Sequence, residues 1–332
     1  MAYFPAGFAF RTDFATCGRN AIGVKLLWHE HKKNNRCPTL CGKRQTKGRR
    51  MSAIPATFVA GTDEHRRLLA RFFLDTHLEY VPEKINWPRL SEADHARLTG
   101  LSIWQEAVAT ENVTSHTVAA AAALESDPEI RRAIELQGFE ENRHARLLVA
   151  LASRYGIPVT TPKPYVPKSL ESDFMSAGFG ECFDSFFAFG LFALGKESGY
   201  FSSELIDIFE PVVQEEARHI LFFVNWVNHR RSQLPWWRRP LFRMRCGWII
   251  LRKVMARVRT ARSMRGRSGA GNENFTLTAR EEIGVSVTLR GLVGMCLSEN
   301  DRRMAVYDSR LLRPRLVPSI ARFLYRMLPA KD

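Results

Sequence analysis

A bundle of α-helices is the fold class this sequence predicts, and three observations carry it. From about residue 62 the apolar residues recur at helical spacing, and as far as residue 230 nothing alternates with period two. Caps, prolines and glycines divide that run into four long helices forming two hairpins. Within them the charged core Glu-Glu-x-Arg-His occurs twice, at Glu140–His144 and Glu215–His219, 75 positions apart.

Residues 1–50 lie ahead of this pattern. "WHEHKKNNRCPTLCGKRQTKGRR" is basic, broken by Gly and Pro, and without a period, so a disordered leader is expected. Met51 in "MSAIPA" reads as a plausible start, which would make that leader non-native or dispensable. His29, His31, Cys37 and Cys41 match no standard zinc-finger spacing. Residues 51–94 form an N-terminal helical segment. There Thr62 followed by acids caps "TDEHRRLLARFFLDTHLEY", and two prolines in "VPEKINWPRL" end it.

The four-helix bundle is assigned to residues 95–232, and its first helix is predicted across "SEADHARLTGLSIWQEAVATENVTSHTVAAAAALE". The next takes Pro128 in its first turn, Asp127 or Ser126 as cap, and ends at Gly156. The Pro-rich stretch 157–172 is a long crossover to a third helix over roughly 173–197. A fourth, "LIDIFEPVVQEEARHILFFVNWVNHRR", contains Pro211, which should kink it. Residues 233–332 read as a basic linker and a helical C-terminal extension.

Bulk properties narrow the class. The 332 residues carry 49 Lys+Arg against 34 Asp+Glu, a net +15 that favours anionic partners. Six scattered cysteines are no disulfide framework, which points to a reducing, cytoplasmic compartment. The longest apolar run, "FFAFGLFALG", is shorter than the roughly 20 residues that span a bilayer, and the N-terminus has no secretory pattern.

The repeat has a chemical meaning. Residues i and i+3 of a helix share a face, so Glu141 with His144, and Glu216 with His219, each make a corner for a metal ion. A corner from each of two helices needs a glutamate from each of the other two. Glu106 and Glu181 each precede a motif by 35 residues, and that symmetry favours them. Glu111 and Glu197 are rivals, preceding Glu141 by 30 and Glu216 by 19. Arg143 and Arg218 point away from the glutamates before them and are expected to pair outward. A single copy of the motif would be an ordinary solvated face.

The constellation Glu…Glu-x-x-His…Glu…Glu-x-x-His resembles the ferritin-like di-iron carboxylate superfamily, over about residues 95–230. The resemblance implies a ferritin-like four-helix bundle with a long crossover between its second and third helices. It makes Glu106 and Glu181 terminal ligands, Glu141 and Glu216 bridging ligands, and His144 and His219 the nitrogen ligands. Glu140 and Glu215 would orient the ligand imidazoles. Two iron ions are implied, with manganese able to use the same donors. The implied activity is O2-dependent oxidation by a mono-oxygenase or hydroxylase fed by an electron donor, and the apolar lining of the third and fourth helices suggests an apolar or lipid-like substrate. A non-catalytic, iron-handling protein is the alternative.

Between Glu216 and Glu273 there is no acidic residue, while arginines interleave with Trp236, Trp237 and Trp248. Residues 235–267 therefore suit an anionic membrane surface, which would hold a cytoplasmic protein at the inner face. RNA is the second candidate partner, and packing on the bundle the third reading.

Overall fold

Helix α1 (Asp63–Asp75) starts at Thr62, whose hydroxyl accepts from the His65 N–H, with Asp63 and Glu64 favourably placed in its first turn. The computed structural model describes residues 59–160, 162–264 and 288–329, within one unit spanning Pro55–Asp332. Every regular element described there is helical. The expected leader, residues 1–50, lies outside the described residues.

Five more helices complete the centre: α2 (Glu92–Gly100), α3 (Trp104–Ala121), α4 (Pro128–Tyr155), α5 (Leu170–Glu197) and α6 (Ser203–Gln233). Asp127 caps α4 by accepting from the Glu129 and Ile130 N–H groups at 2.9 and 3.0 Å. Gly156, at φ 72°, takes the left-handed conformation that ends it. Helix α6 runs on through Pro211.

One boundary differs from expectation. The single helix predicted across 91–125 breaks after Gly100 and restarts at Trp104. The break turns Leu101 and Ile103 inward, to 4% and 6% exposure, and lets the Trp104 indole donate to the Leu98 carbonyl at 2.8 Å. Burying those side chains outweighs the few helical hydrogen bonds lost. Likewise α1 stops at Asp75, where the Thr76 hydroxyl donates to the Phe72 carbonyl, and residues 77–80 continue without regular structure.

Helices α3 and α4 pack as one hairpin and α5 and α6 as another, with α3 against α5. Helix α1 lies across both α4 and α6. Among the described residues three later helices follow: α7 (Arg239–Met264), α8 (Leu289–Ala305) and α9 (Leu316–Met327). Helices α7 and α8 pack on α5, and α9 packs on α8. By length and composition α5 is the one described helix able to cross a membrane, yet 56% of its most apolar stretch is buried inside the molecule.

Two apolar clusters fill the bundle. One gathers Leu69 and Phe73 of α1, Ile130 and Ile134 of α4, and Phe222 and Phe223 of α6. The other gathers Trp104 of α3, Leu151 of α4, Leu194 of α5 and Leu205 of α6. Along α4 and α6 the repeated motif falls between the residues of these clusters. A charged layer therefore lies where the bundle is most enclosed.

Candidate metal centre

Each of the helices α3 to α6 contributes an acidic side chain to this layer. The two motifs face each other: Glu141, His144 and His219 are at most 2% exposed, and the imidazole centroids lie 5.6 Å apart. Glu141 of α4 reaches both rings, with Oε1 2.9 Å from His219 Nδ1 and Oε2 3.9 Å from His144 Nδ1. Glu216 of α6 mirrors it, with Oε1 3.2 Å from His144 Nδ1 and 3.9 Å from His219 Nδ1. Glu111 of α3 closes the His144 side at 3.7 Å. Glu181 of α5 joins Glu141 and His219 on the other. Two overlapping groups result, Glu111–Glu141–His144–Glu216 and Glu141–Glu181–His219, each with its donor atoms within 4.8 Å of one another.

Glu106 belongs to neither group. It sits in the first turn of α3, more than one turn from Glu111. The equal spacing that favoured it assumes equal hairpins. Helix α5 runs further past Glu181 before turning than α3 runs past Glu111, so the shorter interval to Glu141 comes level with the site. Glu197 is the exposed last residue of α5 and is likewise outside both groups.

The outer layer is crossed between the motifs. His144 Nε2 lies 2.9 Å from Glu215 Oε2, and His219 Nε2 lies 2.9 Å from Glu140 Oε2. Each leading glutamate thus holds the histidine of the opposite helix. With Nε2–H donated to these carboxylates, a ring that gives up its other proton presents the Nδ1 lone pair to the inner group.

Arg143 and Arg218 correct a second expectation. Both are 1% exposed rather than outward-facing. Arg143 donates to Glu215 at 2.5 Å and to the Leu78 carbonyl at 2.7 Å, and Arg218 donates to Glu140. The faces they occupy are covered by α1 and the chain that follows it, a tertiary contact the helical pattern of α4 and α6 does not encode. The guanidinium of Arg143 lies 3.9 Å from the Tyr80 ring centroid, and that of Arg218 lies 4.4 Å from that of Phe73. The same chain supplies two polar partners that the motifs do not announce. His77 Nδ1 lies 2.5 Å from Glu140, and the Tyr80 hydroxyl donates to Glu215 at 3.0 Å.

Electrostatics separate the two layers. Burial opposes ionisation of Glu140 and Glu215, but imidazole and guanidinium partners hold both below the usual carboxylate range. In the inner layer burial, reinforced by neighbouring carboxylates, pushes Glu111 up to about 8 and Glu181 well above its ordinary value. Burial also disfavours charge on His144 and His219, yet the surrounding carboxylates raise both well above the ordinary imidazole value.

Donor chemistry supplies the test of fit. Both Glu181 carboxylate oxygens are buried without a hydrogen-bond partner, and Glu141 Oε1, His144 Nδ1 and His219 Nδ1 are buried with close neighbours but no well-aligned hydrogen bond. Buried polar atoms without good hydrogen bonds are costly, and these five converge on one place as oxygen and nitrogen donors suited to a metal ion. The buried Glu/His cluster could therefore bind metal. A scan against protein-family models finds no match, and neither do searches of curated proteins and of solved structures.

Proposed function

We propose that the chain is a ferritin-like di-iron protein that carries out O2-dependent oxidation, as a mono-oxygenase or hydroxylase, of an apolar or lipid-like substrate. Glu111, Glu141, His144, Glu181, Glu216 and His219 would hold two iron ions, and manganese suits the same donors. The observation that carries this reading is the pair of overlapping groups, one histidine in each, with Glu141 common to both.

Charge supports the number of ions. Four inner carboxylates with two neutral imidazoles balance two divalent cations, while Glu140 and Glu215 are already matched by Arg218 and Arg143. A bound iron pair supplies the means to reduce O2 and oxidise a C–H bond, given electrons from an external donor. The chain's own residues do the positioning. Glu141 and Glu216 each approach both histidines, Glu140 and Glu215 fix the imidazole orientation, and the Ser185 hydroxyl donates to Glu216 at 3.0 Å. Phe73, whose ring centroid lies 5.9 Å from that of His219, and Phe222, packed on Phe73, exclude water on the α1 side.

Iron handling without an organic substrate is the second reading. Side chains of Glu111 and Glu216 keep 23% and 17% of their area exposed, which gives ions a way in. Neither of two surface grooves, one beside Trp248 and one beside Tyr155, is lined by an inner-layer residue.

One experiment separates the two. Protein loaded with Fe(II) anaerobically is exposed to 18O2 with and without fatty-acid and alkane substrates and a reductant. Label in an alcohol product, lost in Glu141→Ala, is the oxygenase outcome. Oxygen uptake with ferric iron accumulating beyond two per chain, and no labelled product, would replace it with iron handling.

A further inference from the structure

The outward face of α7 is apolar, whereas arginines help to fix its inner face. Phe242 and Ile249 turn inward, at 7% and 9% exposure, as the helix packs on α5 and α6. Arg245 donates to Glu171 at 2.5 Å and to Ser172 at 2.6 Å, and Arg257 pairs with Asp184, so α5 is gripped at both ends of the contact. These anchors determine which face points away. There Leu241, Met244, Trp248, Leu251, Met255 and Val258 are 37% to 70% exposed. Their steps of three and four residues make one continuous stripe. Trp236 and Trp237, 79% and 52% exposed, extend it into the preceding turn. Gly247 leaves a groove of about 500 Å³ beside Met244, Trp248 and Leu251.

Exposed Arg238, Arg243, Arg252 and Arg259 border the stripe, and none pairs with an acid among the described residues. The absence of any acid from 217 to 272 leaves this positive charge uncompensated in sequence as well.

We propose that α7 is a docking helix for an anionic lipid surface. It would lie along the bilayer plane, with the stripe at the boundary of headgroups and acyl chains and the arginines on lipid phosphates. Arginines along its whole length exclude a spanning role. Charge decides against a second copy, because apposed α7 helices would set rows of arginine together with no acid to relieve them. RNA would satisfy the arginines but leave Leu241, Leu251 and Val258 in water. The inference goes beyond the metal-centre reading and does not depend on it.

The test is binding of the full chain to vesicles of phosphatidylcholine with and without phosphatidylserine, at rising salt. Binding only to the serine-containing vesicles, declining with salt, is expected. Arg243→Ala, Arg252→Ala and Arg259→Ala together should lower partitioning about 100-fold. Trp248→Ser with Leu251→Ser should lower it by about tenfold or more, with helicity unchanged because both side chains face outward. Brominated acyl chains should quench fluorescence of the unmodified chain, and Trp248→Phe should remove part of that quenching. Equal binding to neutral vesicles would overturn the proposal. So would vesicle binding untouched by either set of substitutions, which would place the contact elsewhere. Self-association lost on Leu251→Ser, without vesicle binding, would assign the stripe to a second copy instead.

Discussion

His65 shows how closely single groups are specified where α1 meets α6. It is fully buried, Nδ1 accepts from the Gly61 N–H at 2.8 Å, and Nε2 faces Asn225 Oδ1 at 2.9 Å. That pattern requires a neutral ring with its proton on Nε2, since a second proton on Nδ1 would oppose the Gly61 donor. Burial lowers its pKa despite the bond to Asn225, and His229, whose ring lies 6.3 Å away, is lowered in the same way. The unfolded chain then binds more protons below the ordinary imidazole value of about 6.5. The stability contributed by neutral His65 is complete above that pH and is lost as pH falls toward the folded value. His65→Gln should therefore destabilise most at pH 8. The gap from the unmodified protein should narrow by pH 5, by about 1.4 kcal/mol for each unit of pKa lowering. Urea unfolding of both proteins across that range measures it, and a gap that widens in acid would show the ring to be charged in the fold.

At the scale of elements, local signals were readable and tertiary ones were not. Asp127, Pro128 and Gly156 mark the ends of α4 because caps are written within a turn of where they act. The break at Leu101–Ile103 was illegible, because what drives it is burial against other helices. Duplication of Glu-Glu-x-Arg-His pointed to a shared site, since i and i+3 geometry is intrinsic to a helix. The choice between Glu106 and Glu111 depended on hairpin length, which that spacing does not fix. Arg143 and Arg218 were misjudged for a related reason, α1 being the cover that turns their faces inward. Helix α8 offers the element-scale prediction. It crosses α5 so closely that a Cβ on Gly190 would stand 2.3 Å from Cys296 Sγ and 2.9 Å from its backbone nitrogen. Backbone cannot yield as a side-chain tip does, so Gly190→Ala should cost about 1–3 kcal/mol and loosen α8. Faster hydrogen exchange confined to α8 and the facing part of α5 would bear this out, and unchanged exchange would contradict it.

For the whole molecule, the distinctive feature is a charged layer enclosed by apolar packing. Its outer members are neutralised by two buried arginines, whereas the four inner carboxylates face the two imidazoles with no arginine or lysine paired to them among the described residues. A cation pair would offset the inner negative charge and coordinate the buried oxygens and nitrogens that lack good hydrogen bonds, so loaded protein should be the more stable form. At a free metal concentration a thousand times the dissociation constant, binding stabilises by about 4 kcal/mol. The most direct measurement is anaerobic titration with Fe(II), followed by metal analysis after gel filtration and a thermal melt of the same samples. Two irons per chain with a raised melting temperature are predicted. His144→Ala and His219→Ala should each lose at least one iron while keeping their helicity. Protein that retains no iron, or substituted chains that load as fully as the original, would contradict a metal centre built from the two repeats.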